Sequence, residues 1–171
     1  MRDPASRSAL RVAPVASSAY LMEYEGTFTF PVSVARLWET LLRVDQFPSW
    51  WSWLQDFRVD GTALGSGSVL HGVVAPPVPY RMRIDVVLED WVVEQRIAAL
   101  VHGDLEGPAT LTFDGDGVES RAHAAWALEM MQRPMRIAAR VAYPVLRWGH
   151  DRVVDATVDG LRRQLVDERG R

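Results

Sequence analysis

The sequence predicts an α+β fold, in which a curved, seven-stranded antiparallel sheet wraps around a long C-terminal helix and two short helices follow the first strand. Three patterns support this prediction. Apolar and polar residues alternate with the period of two typical of half-buried strands over residues 20–30. The same alternation returns in several runs between residues 57 and 130. Apolar residues spaced three and four apart, as in amphipathic helices, follow the first strand and recur over residues 146–165.

The first strand covers residues 20–30, and Pro31 ends the run. Ser33 is a suitable N-cap for a helix whose apolar positions recur at helical spacing, namely Val34, Leu37, Trp38, Leu41 and Leu42. Asp45 is expected to cap a second short helix. That helix runs through a segment with three of the seven tryptophans, Trp50, Trp51 and Trp53.

Six further strands are expected, over residues 57–59, 69–74, 80–88, 91–102, 105–113 and 118–130. Short polar or glycine-containing turns separate them, so strands that follow one another in sequence should be neighbours in the sheet. Glu89 and Asp90 are expected to form one of these turns. The segment Asp114–Gly117 predicts a type I′ hairpin, because both central residues of that turn need a positive φ.

The C-terminal part is predicted to be helical from Pro134, which suits the first turn of a helix. Pro144 should kink or divide this helix, since proline lacks a backbone N–H. Beyond it, an apolar stripe predicts one amphipathic helix to residue 168, with Leu146, His150, Val153, Val154, Thr157, Val158, Leu161 and Leu165 on one side. This helix is the only element left to cover the apolar face of the sheet, with space between the two.

The N-terminal residues 1–18 are rich in Ala, Ser, Arg and Pro and lack the apolar run of a signal peptide, so a flexible tail is expected. Residues 19–171 are expected to form a single domain, as suits a chain of 171 residues. No apolar run approaches the ~20 residues that span a bilayer. A cytoplasmic protein without stable membrane insertion is therefore expected.

Composition argues against several kinds of site. The chain has no cysteine, which excludes disulfides, thiolate metal sites and thiol nucleophiles. All 19 basic residues are arginine, so a phosphate-binding loop with its lysine is excluded. The net charge of −3 argues against nucleic-acid binding. No cofactor or metal site is expected, since His71 and His123 have no acidic or histidine partner at short spacing.

Several segments occur in a characteristic order: Phe47–Trp51, Gly65–Gly67, Pro79–Tyr80, Gly103–Gly107, Trp126 and His150–Asp151. Together they resemble the START-like superfamily, also called SRPBCC or Bet v 1-like, and most of all its bacterial polyketide cyclase/dehydrase and lipid-transport branch. The resemblance covers about residues 20–165. It implies a helix-grip fold with a deep cavity for hydrophobic molecules. It implies no particular reaction, because one fold hosts many functions.

The candidate ligand-binding residues of such a cavity are Trp50, Tyr80, Met82, Ile84, Phe113, Trp126 and His150. Further wall residues are expected at Tyr24, Phe28 and Leu111. Trp126 shares a strand face with Ala122 and Ala124, whose small side chains leave room beside a large one. This pattern is compatible with a void for a ligand and equally with tight packing of a helix. Of the three clustered tryptophans, at least two are expected to pack in the core.

If the chain is an enzyme, His150 and Tyr80 are the candidate general acid or base. The alternative for His150 is a structural role, hydrogen-bonded to the sheet backbone. Asp151 is not expected to orient it, because adjacent residues on a helix point about 100° apart.

The leading hypothesis is that the chain, as a monomer or homodimer, binds a hydrophobic small molecule, lipid or polyketide-like, in the cavity. The alternative is a polyketide aromatase/cyclase or dehydratase, which would gain mainly from holding the chain ends close together. A third reading is an interaction module that binds partner proteins through its open face; a filled interior would favour it.

Overall fold

The computed structural model describes residues 20–61 and 63–167. The seven strands are β1 (Leu21–Phe30), β2 (Leu54–Asp60), β3 (Val69–Val74), β4 (Met82–Val92), β5 (Arg96–Gly103), β6 (Leu105–Gly115) and β7 (Ser120–Met130). The helices are α1 (Val34–Leu41), a 3₁₀ turn (Val44–Gln46), α2 (Phe47–Trp50) and α3 (Arg133–Asp167). The expected N-terminal tail, residues 1–18, lies outside the described residues.

All seven strands form one antiparallel sheet in the order β1-β7-β6-β5-β4-β3-β2. From β2 to β7 every strand pairs with its neighbour in sequence, whereas β1 pairs with β7. The connection that carries α1 and α2 therefore joins the two edge strands of the sheet. This architecture confirms the predicted α+β helix-grip fold.

The N-terminus of α1 forms as predicted. The Ser33 hydroxyl accepts a hydrogen bond from the backbone N–H of Arg36 at 3.3 Å, and Leu37 and Trp38 on the inner side of the helix are buried. The predicted cap at Asp45 is wrong. Asp45 lies inside the 3₁₀ turn, and Gln46, the residue before α2, makes no side-chain capping bond.

The β4–β5 turn lies further along the chain than predicted. Strand β4 continues to Val92, and the turn is formed by residues 93–95, where Glu94 has a φ of +59°. Glu89 instead marks a shift in register between β4 and β5. The acidic pair Glu89–Asp90 thus belongs to a bulge, and Asp90 forms an ion pair with Arg96 across the hairpin.

The hairpin between β6 and β7 forms, but the predicted type I′ turn at Asp114–Gly117 is wrong, because neither central residue, Gly115 or Asp116, has a positive φ and the loop has four residues. Strand β6 runs to Gly115, and the chain turns at residues 116–119, with Gly117 at a φ of +92°. The Asp116 carboxylate accepts hydrogen bonds from the N–H groups of Val118 and Glu119, both at 3.0 Å. These bonds lower the pKa of Asp116.

Helix α3 is interrupted where the proline predicts it. Ala142 leaves helical geometry (φ −131°, ψ 31°) two residues before Pro144, so the helix consists of two segments joined at a kink. None of the described helices carries an apolar stretch that would let it span a bilayer.

The buried side chains form two groups at opposite ends of the space between the sheet and α3. One group surrounds Leu37, Trp38 and Trp51, where α1 and α2 meet the C-terminal part of α3. The other, which includes Met82 and Met135, lies beneath the N-terminal part of α3. The backbone of α3 approaches α1 and α2 closely and makes fewer close approaches to the strands. A gap is therefore left between helix and sheet.

Gly160 marks the closest approach of α3 to α2. A Cβ atom there would lie 2.8 Å from the Trp50 carbonyl oxygen and 2.8 Å from Cδ1 of the Trp51 ring. The Trp51 indole N–H also donates a hydrogen bond to the Thr157 carbonyl at 3.0 Å, one turn earlier on α3. These contacts fix the distance between α3 and the sheet.

We expect Gly160→Ala to lower the free energy of unfolding by about 1–2 kcal/mol, because overpacking against a rigid carbonyl outweighs the gain in helix propensity. Gly149→Ala is the matched control. A Cβ atom at Gly149 would meet only side-chain atoms, at 3.4 Å or more. The control should therefore be unchanged or stabilised by up to about 1 kcal/mol. Urea unfolding of both variants measures the difference, and equal stabilities would contradict the proposed close contact.

Candidate functional site

The gap between the sheet and α3 contains two neighbouring cavities. The larger has a volume of about 340 Å³ and the smaller one of about 170 Å³. They share four lining residues, Trp53, Trp126, His150 and Val153. The larger lies toward α1 and the smaller toward the first segment of α3, so the shared residues stand at the middle of the interior.

Small side chains on β7 make room for the larger cavity. Ala122 and Ala124 face the interior from β7, and Val154 and Val158 face it from α3. Strand alternation places Trp126 on the same face of β7, where it contributes to both cavities. The small residues predicted beside Trp126, Ala122 and Ala124, therefore line the larger cavity.

The walls are almost entirely apolar, and few polar groups reach the interior. In the larger cavity the Thr157 hydroxyl donates to the Val153 carbonyl at 2.7 Å, so its hydrogen bond is satisfied within the helix. The remaining polar groups of the lining are the imidazole of His150, the phenol of Tyr80 and three indole N–H groups, those of Trp51, Trp53 and Trp126.

His150 is the central polar group. Its ring lies 5.2 Å from that of Tyr24 and 5.5 Å from that of Trp126, measured between centroids. Tyr24 and Trp126 stack on each other at 4.4 Å. His150 Nδ1 lies 3.0 Å from the Asp151 carboxylate, whereas its Nε2 is buried and has no hydrogen-bond partner among the described residues.

The contact between His150 and Asp151 corrects the prediction that Asp151 would not orient its neighbour. The 100° offset applies to the Cα–Cβ bonds, whereas the imidazole and the carboxylate extend beyond Cβ and converge at the helix surface. Asp151 also lies 3.8 Å from the Arg147 guanidinium, which keeps the carboxylate in place from the other side. With Nδ1 facing Asp151, Nε2 is the atom left for the interior.

Trp53 supplies a second buried polar atom. Its indole Nε1 has no hydrogen-bond partner among the described residues, in contrast to that of Trp51, which is bonded to the Thr157 carbonyl. The two rings stack with centroids 5.7 Å apart. An indole N–H that is buried without an acceptor is uncommon and calls for one.

Two tyrosines near the cavities keep their protons. Burial raises the pKa of Tyr80. Burial also raises the pKa of Tyr24, with smaller contributions from the negative charges of Asp151 and Asp155. At neutral pH both phenols are hydrogen-bond donors rather than bases. Among the described residues, the one imidazole in the lining of the cavities is that of His150.

Most of the candidate ligand-binding residues lie around the interior. Tyr80, Met82 and Ile84 line the smaller cavity, Phe113 lines the larger, and Trp126 and His150 line both. Trp50 is different: it is buried in the core against Phe47, with ring centroids 5.5 Å apart, and is not among the described residues that line either cavity. Trp53, from the same tryptophan cluster, lines both cavities instead.

The larger cavity has Phe28 and Leu111 in its wall, as expected. Tyr24, also expected in the wall, is not among the described residues that line either cavity and packs against Trp126 and His150 instead. Sequence reasoning missed Met135, in the first turn of α3, and Pro76, in the irregular connection between β3 and β4. Irregular chain has no periodicity from which an inward face can be read.

No protein-family model matches the chain, and no curated protein matches it. Solved structures do match its fold. TTHA0849 from Thermus thermophilus has a TM-score of 0.70 at 14% identity, over 86% of this chain and 99% of that one. The Zhui aromatase/cyclase from Streptomyces sp. R1128 has a TM-score of 0.69 at 13% identity, over 88% of this chain and 96% of that one.

A third match is norcoclaurine synthase from Thalictrum flavum, in complex with dopamine and hydroxybenzaldehyde. It has a TM-score of 0.59 at 11% identity, over 95% of this chain and 98% of that one. The chain has the START-like, or Bet v 1-like, fold. The fold resemblance inferred from the short sequence segments is thereby confirmed.

A second polar cluster lies on the outer face of the START-like sheet, away from the cavities. His71 on β3 contacts Asp60 on β2 at 2.9 Å and Asp85 on β4 at 2.5 Å. His71 has no acidic partner at short spacing in the sequence, but strand pairing supplies two that lie 11 and 14 residues away. His123 likewise contacts Glu25 and Thr27 of β1. Among the described residues, no group of three or more histidine, aspartate or glutamate side chains is arranged so that it could hold a metal ion.

The His71 cluster couples stability to pH. Hydrogen bonds to Asp60, and then to Asp85, raise the pKa of His71 above the ordinary value of 6.5, and the bond with His71 lowers the pKa of Asp60. The raised histidine pKa stabilises the fold fully below the pKa of unfolded histidine, and this stabilisation is lost as pH rises through the folded value. The contribution of Asp60 is lost as pH falls through its own lowered pKa.

We therefore expect the free energy of unfolding of the wild type to fall as the pH rises from about 6.5 through the raised pKa of His71, with a smaller fall in His71→Gln. The measurement is chemical denaturation across that range. His123→Gln leaves the His71 cluster intact and should keep the wild-type dependence. A His71→Gln curve parallel to that of the wild type would show that the cluster contributes nothing.

Proposed function

We propose that the chain binds a hydrophobic small molecule, lipid or polyketide-like, in the interior between the sheet and α3. One observation carries the proposal: an apolar interior space contains two buried polar atoms, His150 Nε2 and Trp53 Nε1, that have no partner among the described residues. A guest with an apolar body and a polar oxygen would satisfy both requirements.

The energetics favour such a guest. A buried polar group without a hydrogen bond costs about 1–3 kcal/mol, and a ligand that supplies the missing partner recovers this cost. Removing about 300 Å² of apolar ligand surface from water contributes roughly 7 kcal/mol before the costs of association. The larger cavity, at about 340 Å³, falls in the usual size range of small-molecule sites.

The polar groups define how the guest would lie. A carbonyl or hydroxyl oxygen near the shared residues would accept from the Trp53 indole and meet the His150 imidazole. The Tyr80 phenol, protonated at neutral pH, offers a further donor in the smaller cavity. The apolar body would extend into the larger cavity between β7 and α3. A cytoplasmic location and a monomeric or dimeric state remain predictions from the sequence.

We expect Ala124→Leu to weaken binding of the uncharged probe N-phenyl-1-naphthylamine by about tenfold or more, because the added side chain fills the cavity that the guest would occupy. Fluorescence titration measures the affinity. Ala125→Leu is the matched control, since Ala125 faces the opposite side of the same strand, beside Glu23 and Glu25. Native mass spectrometry of the purified wild type tests for a retained lipid.

Equal probe affinity in the two alanine variants would refute interior binding. Failure of Ala124→Leu to fold would be seen in its thermal transition. In that case Val154→Ile, a smaller addition on the opposite wall, serves as the second variant.

A second candidate function, aromatase/cyclase activity on a poly-β-keto chain, is favoured by the contact between Asp151 and His150. With Nδ1 held by the carboxylate, Nε2 could take a proton from the methylene between two carbonyls. The resulting carbanion would attack a carbonyl carbon of the same chain, and the new alkoxide would take the proton back from the imidazolium. The Zhui aromatase/cyclase shares this fold, and its activity gives the reaction class to test.

If this reaction occurs, His150→Gln should lower the cyclisation rate of a synthetic linear poly-β-keto thioester by about a hundredfold, since general base catalysis contributes on that order. Absorbance of the aromatic product gives the rate. His102→Gln, on the sheet surface, should leave it unchanged. If the cyclisation rate with the wild type is no higher than the rate in buffer without protein, cyclisation of this substrate is excluded. The binding proposal would be unaffected by that result.

A further inference from the structure

The first part of α3 carries an unusual combination of charge and exposed apolar surface. Between Met131 and Gly149 the sequence has four arginines and no acidic residue, in a chain whose net charge is −3. The same stretch contains six of the ten large hydrophobic residues that the structure exposes among its described residues, from Met131 to Trp148. Neither feature is needed to cover the cavities.

The exposed apolar side chains lie on the solvent side of the helix. Ile137 is 65% exposed, Val141 84% and Trp148 47%. Met135 and Leu146 of the same stretch are buried against the sheet side. The helix thus has one apolar side that covers the interior and a second one that faces solvent. We call the second the outer face of α3 and define it by Arg133, Ile137, Arg140, Val141, Val145 and Trp148.

The charges on this face select among possible partners. Arg133 and Arg140 are exposed beside the apolar residues, and the guanidinium of Arg152 lies 5.6 Å from the Trp148 ring. Packing two copies of the chain through this face would bring arginines against arginines, which is unfavourable. A partner that is negatively charged and offers an apolar layer beneath the charge fits both components.

We propose that the outer face of α3 binds the surface of an anionic phospholipid membrane. A helix with apolar and basic residues on one side lies in the plane of the interface, with its apolar side chains among the acyl chains and its cations at the phosphates. Trp148 has the amphipathic ring that is favoured at this depth. The outer face of α3 ends before Asp151 and Asp155, because an anionic lipid surface would repel their negative charges.

The kink places this face directly over the interior. Met135 and Leu146, on the inner side of the same stretch, belong to the buried group beside the smaller cavity, and Met135 lines it. A membrane bound to the outer face would therefore lie one helix away from the cavity. Binding to the membrane surface does not depend on what the cavity holds, so it can be tested separately from the proposed function.

The experiment is co-sedimentation of the full chain with vesicles. We expect vesicles of phosphatidylcholine with about 30 mol% phosphatidylserine to bind it about tenfold or more tightly than phosphatidylcholine alone. Binding should weaken as sodium chloride rises from about 0.1 to about 0.5 M. The double variant Ile137→Asp/Val141→Asp should lose about tenfold or more of this affinity. Val118→Asp is the matched control, because Val118 is 77% exposed in the distant β6–β7 turn.

Absence of binding to the anionic vesicles would overturn the proposal, as would equal binding by the double variant and the Val118→Asp control. Sedimentation velocity tests whether the outer face of α3 binds a second copy of the chain instead. A wild-type dimer that the double variant dissociates would assign the outer face to a second copy of the chain and overturn the membrane assignment. Both variants replace exposed side chains, so their thermal transitions should match that of the wild type.

Discussion

The contact between α2 and α3 is the constraint on which the interior depends. Gly160 lets α3 approach the Trp50 carbonyl, and the Trp51 indole is hydrogen-bonded to the Thr157 carbonyl. The helix is thereby seated on α1 and α2 at one end of the sheet rather than on the strands themselves. Because the distance between α3 and the sheet is fixed at this end, the side chains of β7 and α3 need not be in contact with each other. The small alanines of β7 leave the space open.

Within that space the imidazole of His150 lies at the centre. His150 is held from one side by Asp151 and packs against Tyr24 and Trp126, so one ring nitrogen is engaged and the other faces apolar walls. An apolar site with one oriented polar group distinguishes guests by the position of a single oxygen. The same geometry provides a proton acceptor if the guest is reactive.

Much of this architecture could be predicted from the sequence, because strand alternation and helix periodicity assign inward faces residue by residue. Met82, Ile84 and Trp126 reach the interior for this reason. The three clustered tryptophans lie in a short helix and a turn, where no period distinguishes Trp50 in the core from Trp53 at the cavity. The partners of His71 could not be found, because strands β2 and β4 bring them together only after the sheet has formed.

The break at Ala142 also divides α3 mechanically. Helical hydrogen bonding is cooperative along an uninterrupted backbone, and a proline next to a non-helical residue ends that cooperativity. Fraying of the N-terminal segment therefore stops at the kink and leaves the packing of the C-terminal segment on α2 intact. Local unfolding of the N-terminal segment would expose the buried side chains of Met135 and Ala139, while the C-terminal segment stays packed on α2.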